Sequence, residues 1–475
     1  MHVSNMQMGW VAALAPLWPL LAFVGLGGVM LMHRAPGERA VVRWVLGALW
    51  LSLGCSVLTA ASMLWMHQDV VELDVGQWFS TGHYAFDLTL RADLLSVTMM
   101  VLSSAITLLI GRFSVNYLHR EPGFARFFLL LCVFATGMLV LVESGSIDLL
   151  FVGWELVGLT SALLIGFFHE RSTPVRSGLR AFTIYRLCDT GLLVGAVLLH
   201  HFAGTAEWSE ALGSWPWPGP AAALGVVPAT VMALCLMLAA MGKSAQLPFS
   251  SWLPRAMEGP TPSSALFYGA LSVHAGVYLL LRVAPLLERA PLVSGLLVGV
   301  GLLTAVHATL VWRVQTDVKS ALAYGVLTQV GLMFAEVGLG LYRLALAHLV
   351  AHACLRCLQL LRAPSALREV LGQRAALRLA PPPAVAVAHR VLPEGLLRRL
   401  YRLALERFSL EVMHERWALA PLFRAGQWLD GMEQRWMSAL SGWTSPADAR
   451  TKSPERSDLV TTPESTPGGP STGAV

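Results

Sequence analysis

The sequence predicts an all-α fold, a polytopic transmembrane helix bundle of about eleven spans. The chain is 55% hydrophobic and only 13% charged, whereas soluble domains carry about 25% charged residues. Its apolar stretches run to about 20 residues, which is the length of a membrane-spanning helix and far longer than an outer-membrane β-strand. The first stretch begins at Trp10 without a basic segment before it. We therefore expect it to stay in the membrane rather than be removed as a signal peptide.

Each predicted span is a mainly apolar stretch that ends at charged residues, glycine or proline. The seventh is broken near Gly242, where glycine, lysine and a following proline stand close together. The predicted spans are residues 10–32, 42–65, 94–113, 127–143, 149–168, 181–202, 224–253, 263–284, 292–312, 320–341 and 344–362.

The charge of the connecting loops predicts the orientation of the bundle. Loops after odd-numbered spans are basic and those after even-numbered spans are acidic or weakly charged, and basic loops tend to stay in the cytoplasm. We expect a multi-pass protein of the cell inner membrane with a periplasmic N-terminus and a cytoplasmic C-terminal region. The pattern rests on Arg34, Arg39, Arg43, Arg112, Arg120, Arg126, Arg171, Arg176 and Arg180 on one side, and on Asp69, Glu72, Asp74, Glu143, Asp148, Glu207 and Glu210 on the other.

Beyond Leu361 the chain changes from apolar to basic and amphipathic. Between Glu394 and Leu440 leucines alternate with arginines and tryptophans follow, but no stretch is apolar enough to span a membrane. Such a segment suits a membrane surface or the flank of a partner protein. A small cytoplasmic helical hairpin with its own core is the alternative.

The composition argues against several functions. Basic residues are not clustered with interleaved aromatics, so we predict no nucleic-acid surface. No glycine-rich nucleotide motif or cofactor ligand set is visible, and we expect no cofactor, no metal and no covalent catalytic site. Cys354 and Cys357 form a Cys-x-x-Cys pair, but no second pair completes a metal site. The six cysteines all fall in predicted spans, where small apolar packing residues are expected.

Lys243 is the most informative residue of the chain. It lies in the run Gly242–Pro248, directly after the apolar stretch Val226–Met241, and Gly259-Pro260-Thr261-Pro262 follows. Glycine, proline and an ionisable group at membrane depth usually mark an interrupted helix that lines an ion-carrying cavity. A buried amine is also easily brought into a range where it exchanges protons. The pattern favours proton transfer at this break.

Further ionisable residues lie inside the predicted spans, and each such group needs a partner or a function. Glu155 lies in the fifth span, Arg186 and Asp189 lie three apart in the sixth, and His274 lies within the eighth. Each has a structural alternative: a helix-end carboxylate, an ion pair and a packing histidine. His348, His352 and Arg356 recur every four residues and form one polar stripe on the eleventh span. A metal pair at the two histidines is the alternative to a proton relay, but no third ligand is near them in sequence.

Several motifs occur together and in a fixed order. They are Asp93-Leu94-Leu95-Ser96, Ser114-Val115-Asn116-Tyr117-Leu118, Glu121–Phe128, Gly153-Trp154-Glu155-Leu156-Val157-Gly158, Gly242–Pro248 with Gly259–Pro262, and Val314–Lys319 with Ala321-Leu322-Ala323-Tyr324. Between about residues 85 and 362 the chain thereby resembles the antiporter-like membrane subunits of respiratory complex I, above all the distal L subunit, and the related large Mrp sodium/proton antiporter subunits.

The resemblance implies two inverted five-helix repeats after three leading helices, with a proton path at mid-membrane. It implies that Glu155 is the glutamate that pairs with the broken-helix lysine, Lys243, that Asp189 is its neighbouring acid, and that His348 and His352 are the central histidines. With His274 and Arg356 these residues form the predicted proton pathway. The implied divisions are leading helices at 1–126, a first repeat at 127–290, a truncated second repeat at 291–362, a basic amphipathic segment at 363–444 and a disordered tail at 445–475.

Three departures from the family pattern matter. Tyr268 stands where the family has a histidine, and His274 follows about two turns later. Arg356 replaces a lysine, and a guanidinium does not release its proton under ordinary conditions. The second repeat is expected to stop after its third helix, so the family's second broken helix has no predicted counterpart.

These observations predict a proton-translocating membrane subunit of a multisubunit complex, similar to the L subunit of NADH-quinone oxidoreductase, with other membrane subunits as partners. One alternative is the membrane subunit of an inorganic-carbon pump that is paired with a large soluble zinc protein akin to carbonic anhydrase. Others are a cation/proton antiporter subunit and a scaffold without conduction. The sequence does not distinguish H⁺ from Na⁺, because no sodium site of carboxylates and carbonyls can be recognised from it.

Overall fold

A computed structural model describes residues 2–33, 36–82, 84–377 and 394–441. Eleven helices within these residues are long and apolar enough to cross a membrane, which confirms the predicted class. Ten of them lie in α1 (His2–Leu31), α2 (Glu38–Trp65), α3 (Leu94–Tyr117), α4 (Phe124–Glu143), α5 (Ile147–Ile165), α6 (Ser172–Ala203), α8 (Val226–Lys243), α13 (Pro291–Trp312), α14 (Val318–Gly338) and α15 (Tyr342–Leu377). The eleventh, Thr261–Arg282, comprises α10, α11 and the irregular turns between them. Helix α18 (Ala420–Ser441) is also long but is not one of these spans. The shorter helices are α7 (Trp208–Ala211), α9 (Trp252–Arg255), α10 (Thr261–Ser264), α11 (Ala275–Arg282), α12 (Ala284–Leu287), α16 (Glu394–Leu405) and α17 (Leu410–His414).

The seventh span is broken where the sequence predicts it. Helix α8 ends at Lys243, and Ala245 takes a positive φ of 52°. The chain then turns through Pro248, which has no amide hydrogen to continue the helix, into α9. Lys243 is therefore the last residue of α8, and its side chain is fully buried inside the bundle.

The eighth span is also irregular, which the sequence analysis did not predict. Between α10 and α11 the chain forms a π-helical turn at Ala265–Ala270 and a tight 3₁₀ turn at Ser272–His274. The most apolar stretch of this span is entirely buried. Packing on all sides, rather than helix propensity, therefore determines its backbone conformation. Local π turns of this kind are frequent at functional sites, and this one positions His274.

A β-hairpin replaces the loop that was expected between the second and third spans. Strand β1 (Val70–Thr81) pairs antiparallel with β2 (Tyr84–Asp93), with Val70 opposite Asp93. Alternating side chains of β1, those of Val71 and Leu73, are buried, as expected for a strand with one solvated face. Asp93 then caps α3 by accepting a hydrogen bond from the amide of Ser96 at 3.0 Å. The hairpin defines what we call the outer end of the bundle; the opposite end, with residues 118–123 and 166–171, is the inner end.

In the helix pairs α4–α5 and α13–α14 the two backbones approach each other closely at facing glycines. A Cβ atom on Gly153 would lie 2.7 Å from the carbonyl oxygen of Gly137, and one on Gly331 would lie 2.6 Å from that of Gly301. Only glycine allows backbones to approach this closely. These pairs are the first two helices of each predicted repeat, and the division of the chain into repeats remains a prediction.

The end of the chain differs in length from the prediction. Helix α15 continues to Leu377, beyond the predicted end at residue 362, because its polar continuation is still a good helix former. Helix α18 belongs to a second unit that begins at Leu419, and large side chains such as Trp428 and Trp436 on it are exposed. The predicted break at 381–383 and the predicted tail from residue 445 lie outside the described residues.

Candidate functional site

Lys243 lies in a pocket of aromatic rings and one carbonyl group. Its Nζ donates a hydrogen bond of 2.8 Å to the carbonyl oxygen of Trp154. The same atom lies 4.7 Å from the centroid of the Trp154 ring and 4.9 Å from that of Tyr185, within the range of a cation–π interaction. A Cβ on Gly158 would lie 2.9 Å from Nζ, so this glycine leaves room for the amine. Helices α5 and α6 thus form the walls of the pocket, and α8 supplies the lysine.

The two acids predicted near Lys243 are held by an arginine instead. Glu155 forms an ion pair with Arg186, whose other amine lies 2.8 Å from Asp189. Asp189 also accepts a hydrogen bond of 2.5 Å from the indole of Trp154. Among the described residues no carboxylate lies within ion-pair distance of Lys243, and Glu155 contacts Arg186 instead. The functional pairing of Glu155 with Lys243 that the resemblance implies stays a prediction. The guanidinium is the stronger partner because its planar fork binds two carboxylates at once.

The ion pair of Arg186 and Asp189 confirms the pairing expected from their spacing. Asp189 is buried, whereas the side chains of Glu155 and Arg186 remain 25% and 35% exposed. Two acids, one arginine and one lysine therefore share this part of the bundle. Their formal charges cancel when all four are ionised, which is how buried charges are tolerated.

A second cluster joins two histidines and an arginine in a directed chain. Nδ1 of His274 lies 2.7 Å from the carbonyl oxygen of Ala270 and must donate to it. Nε2 of His274 then accepts from Nδ1 of His352 at 3.0 Å, and Nε2 of His352 accepts from Nε of Arg356 at 3.2 Å. The backbone carbonyl and the guanidinium at its two ends thereby assign the tautomer of both neutral rings.

His348 extends this histidine cluster toward a third set of polar groups. Its ring nitrogens lie 2.9 Å from a carboxylate oxygen of Glu336 and 3.0 Å from the amide oxygen of Gln329. The rings of His348 and His352 are 6.2 Å apart, centroid to centroid. The stripe predicted on α15 therefore faces the bundle and is connected to the turn before α11 and to α14.

Hydroxyl groups lie between the lysine pocket and the histidine cluster. Ser244 donates to the carbonyl oxygen of Val273 at 2.7 Å, next to His274, and the hydroxyls of Ser161 and Ser272 are 3.4 Å apart. The buried hydroxyls of Tyr185 and Tyr268 have no hydrogen-bond partner among the described residues. Unpaired buried hydroxyls are the places where ordered water is expected.

Several buried or half-buried polar residues were not predicted from the sequence. Glu336 is an acid within the tenth span, and that position alone was a signal for it. Arg282 is clamped to Asp93 at 2.5 Å near the outer end, and both are almost fully buried. Glu143 is 1% exposed, and its two carboxylate oxygens have no partner among the described residues. The roles of Trp154 and Tyr185 had no signal, because an aromatic residue in an apolar helix usually only packs.

The cysteines and the described acids and histidines form no metal site. Within the described ranges no group of three or more His, Cys, Asp or Glu side chains is placed to hold a metal ion. Cys357 is buried and Cys354 is exposed, and both are free thiols.

The fold and this site define a class: polytopic membrane proteins that carry titratable side chains along mid-membrane helices around a broken helix. Two family models match the chain, "NADH:quinone oxidoreductase/Mrp antiporter, TM" at residues 144–378 and "NADH-Ubiquinone oxidoreductase (complex I), chain 5 N-terminus" at residues 78–128. Together they cover more than half of the sequence. The chain belongs to this family of antiporter-like membrane subunits, as its motifs predicted.

Individual relatives agree with this assignment. The chain is 38% identical over 314 residues to NADH-quinone oxidoreductase subunit L of Campylobacter jejuni, with 65% of this chain and 51% of the relative covered. It is 35% identical over 349 residues to NADH-ubiquinone oxidoreductase chain 5 of Cryptococcus neoformans, with 72% and 52% covered. The chain thus spans about half the length of the curated relatives it matches.

Solved structures show the same fold. A chain of the Mrp complex from Dietzia sp. superposes with a TM-score of 0.61 at 27% identity, covering 73% of this chain and 37% of the other. A chain of an archaeal membrane-bound sulfane sulfur reductase superposes with a TM-score of 0.62 at 19% identity, covering 74% of this chain and 70% of the other, which supports the fold alone.

Proposed function

We propose that this chain translocates protons as one membrane subunit of a multisubunit complex, in the manner that its likeness to subunit L suggests. The observation that carries the proposal is the position of Lys243, fully buried at the end of a broken helix and held by the carbonyl of Trp154. An amine in this position exchanges its proton in response to nearby charge, and Asp189 and Arg186 supply that charge.

The histidine chain is the second part of the proposed path. Nε2 of His352 takes up a proton when the Arg356 side chain moves off it, and the Nδ1 proton of His352 then passes to Nε2 of His274. His274 releases its own Nδ1 proton to water when water replaces the carbonyl of Ala270 as the partner of that nitrogen. Arg356 keeps its charge throughout and acts as a fixed cation. Water that bridges the hydroxyls of Ser272, Tyr185 and Tyr268 would connect this chain to Lys243.

A neighbouring membrane subunit is proposed to cover the α5–α6 face. Glu155 and Arg186 lie midway along these helices and keep a quarter to a third of their side-chain surface exposed. A charged pair that faces lipid is costly, so a protein partner or a water-filled cleft must adjoin it. This favours other membrane subunits as partners.

A cation/proton antiporter subunit is the second candidate, and the likeness to the Mrp complex chain favours it. The inorganic-carbon pump with a soluble zinc partner remains a prediction from the sequence, and none of the relatives named above carries such a description.

The proposed function is tested by comparing the intact complex with the isolated chain. Both are reconstituted into liposomes, a potassium diffusion potential is imposed, and proton entry is followed with a pH-sensitive dye. We expect proton flux through the complex and little through the chain alone. The exposed charges of Arg186 and Glu155 indicate a surface that a partner subunit covers in the complex. Equal flux through the isolated chain would remove the requirement for a partner. Uptake of radiolabelled sodium under the same potential would show whether Na⁺ is transported.

Orientation remains a prediction and has its own measurement. We expect a single cysteine placed at Gln68 to react with an impermeant maleimide from the periplasm and one placed at Arg398 to be protected in intact cells, because basic loops stay in the cytoplasm. The native thiols are first replaced by serine or alanine. Periplasmic labelling at Arg398 would reverse the predicted topology.

A further inference from the structure

The segment Arg407–Trp417, which we call the inner clamp, is tied to the bundle by charged contacts next to the break in the seventh span. Glu411 accepts hydrogen bonds from Arg255 at 2.7 and 3.2 Å and also pairs with Arg407. Arg407 donates to the amide oxygen of Gln315 at 3.2 Å, and Glu415 pairs with Arg180 at 2.5 Å. The clamp therefore joins α6, α9 and the end of α13.

The clamp places one histidine against the broken helix. His414 is 8% exposed, and its Nδ1 lies 2.6 Å from the hydroxyl oxygen of Ser251. Its ring stacks on that of Phe249, with centroids 6.4 Å apart. An amphipathic segment that served only to cover the bundle would place an apolar side chain here, since a buried imidazole needs a hydrogen-bond partner.

Ser251 connects this histidine to the lysine pocket. It lies in the tight turn directly before Trp252, whose indole nitrogen donates to the carbonyl oxygen of Gly242 at 3.1 Å. The Trp252 ring also packs edge-on against Tyr185, with centroids 4.9 Å apart, and Tyr185 forms a wall of the lysine pocket. Ser251 and Lys243 thus lie on the two sides of one break in the seventh span, and Trp252, next to Ser251, contacts both the end of α8 and the Tyr185 wall of the lysine pocket.

We propose that His414 is the proton-accepting group at the inner mouth of the path to Lys243, with Ser251 as the next carrier. The proposal rests on the proposed function. The imidazole takes a proton from inner water on Nε2 and releases the proton on Nδ1 to the hydroxyl oxygen of Ser251. Ser251 passes its own hydroxyl proton to a water molecule on the Lys243 side, which carries the proton onward as hydronium. The histidine and the serine each end with the number of protons they had at the start.

The charges around His414 favour a neutral ring that readily passes a bound proton on. Arg180 and Arg255 from the bundle and Arg407 from the clamp are cations, whereas Glu411 and Glu415 are paired with them. Burial lowers the pKa of His414, and the charge of Arg180 lowers it further. The ring is therefore neutral at the pH of the cytoplasm and can take up a proton.

The test is chemical rescue in the intact complex, with the same liposome assay. His414→Gly should lower the proton flux at least about tenfold, since a positioned proton-transfer group contributes that much or more. Imidazole added on the inner side should restore a large part of the flux, because it can fill the space and carry the proton. The matched control is His119→Gly, an exposed histidine at the inner end that is paired with Glu38; its flux should not change, with or without imidazole.

Three results would overturn the proposal. Unchanged flux in His414→Gly would show that the histidine carries no protons. Loss of flux without rescue, in a complex that remains assembled by size-exclusion chromatography, would leave the clamp a structural role only. If Glu411→Gln, which keeps His414, lowers the proton flux as much as His414→Gly does, the clamp would likewise have a structural role only. Lys243→Ala is measured alongside: a His414 failure with flux still dependent on Lys243 refutes only the inner carrier, whereas flux independent of Lys243 refutes the proposed function itself.

Discussion

Replacing Lys243 with alanine should lower proton flux through the intact complex by about a hundredfold or more, the contribution of a positioned proton-transfer group. The amine is fully buried and is bound by the carbonyl of Trp154, whose indole nitrogen donates to Asp189. No other lysine lies within the described spans at mid-membrane. Alanine therefore removes the group whose protonation the surrounding charges control.

Arg356→Lys is the matched comparison for Lys243→Ala. Arg356 donates to His352 and to Gln359 and acts as a fixed positive charge, which lysine keeps. We expect a loss of only about threefold to tenfold, because lysine preserves the charge but cannot bind both partners with one planar group. Flux is measured in liposomes at matched amounts of complex. Flux that survives Lys243→Ala at the level of Arg356→Lys would leave only a scaffold role for this chain.

Replacing Asp93 with asparagine should destabilise the bundle by about 3–5 kcal/mol, the usual effect of removing one partner of a buried ion pair. Asp93 is fully buried and its carboxylate receives Arg282 at 2.5 and 3.1 Å and Arg91 at 3.3 Å. The neutral amide of asparagine leaves the buried guanidinium groups of Arg282 and Arg91 without the negative charge that they share. Thermal unfolding in detergent, followed by loss of the monodisperse peak, measures the change.

Glu72→Gln is the control for Asp93→Asn. Glu72 binds Arg91 at 2.7 Å but is 43% exposed, so we expect a change of at most about 1 kcal/mol. An equal effect of the two substitutions would show that burial is not the reason for the importance of Asp93.

The Asp93 pair also predicts a dependence on pH. Burial alone would raise the pKa of Asp93, but the charge and hydrogen bonds of Arg282 outweigh it and hold the pKa near 2. The folded state therefore binds this proton less readily than the unfolded chain, whose aspartate titrates near 3.9. The stabilisation is present above pH 4 and is lost as the pH falls toward 2. Asp93→Asn should lack this part of the acid sensitivity.

The sequence alone was sufficient for the class, the spans and the break near Gly242. Hydrophobic stretches of membrane length leave only a helical bundle, since every backbone group in lipid must be paired within its own segment. Pro248 and the polar residues around it interrupt the helix for local reasons. The order of motifs was sufficient for the family. These are properties of composition and of neighbours along the chain.

The partners of the buried charges were decided only by the tertiary structure. That Arg186 rather than Lys243 binds Glu155, and that His274 binds His352, depends on which helix faces meet, and residues 78 positions apart carry no local signal for this. The irregular backbone at 265–274 arises because that span is buried on every side. The contact of His414 with Ser251 joins residues 163 positions apart. Local sequence determines which span carries a charged residue, but long-range packing determines what that residue binds. A buried charge is stabilised by whichever partner the fold brings within contact distance.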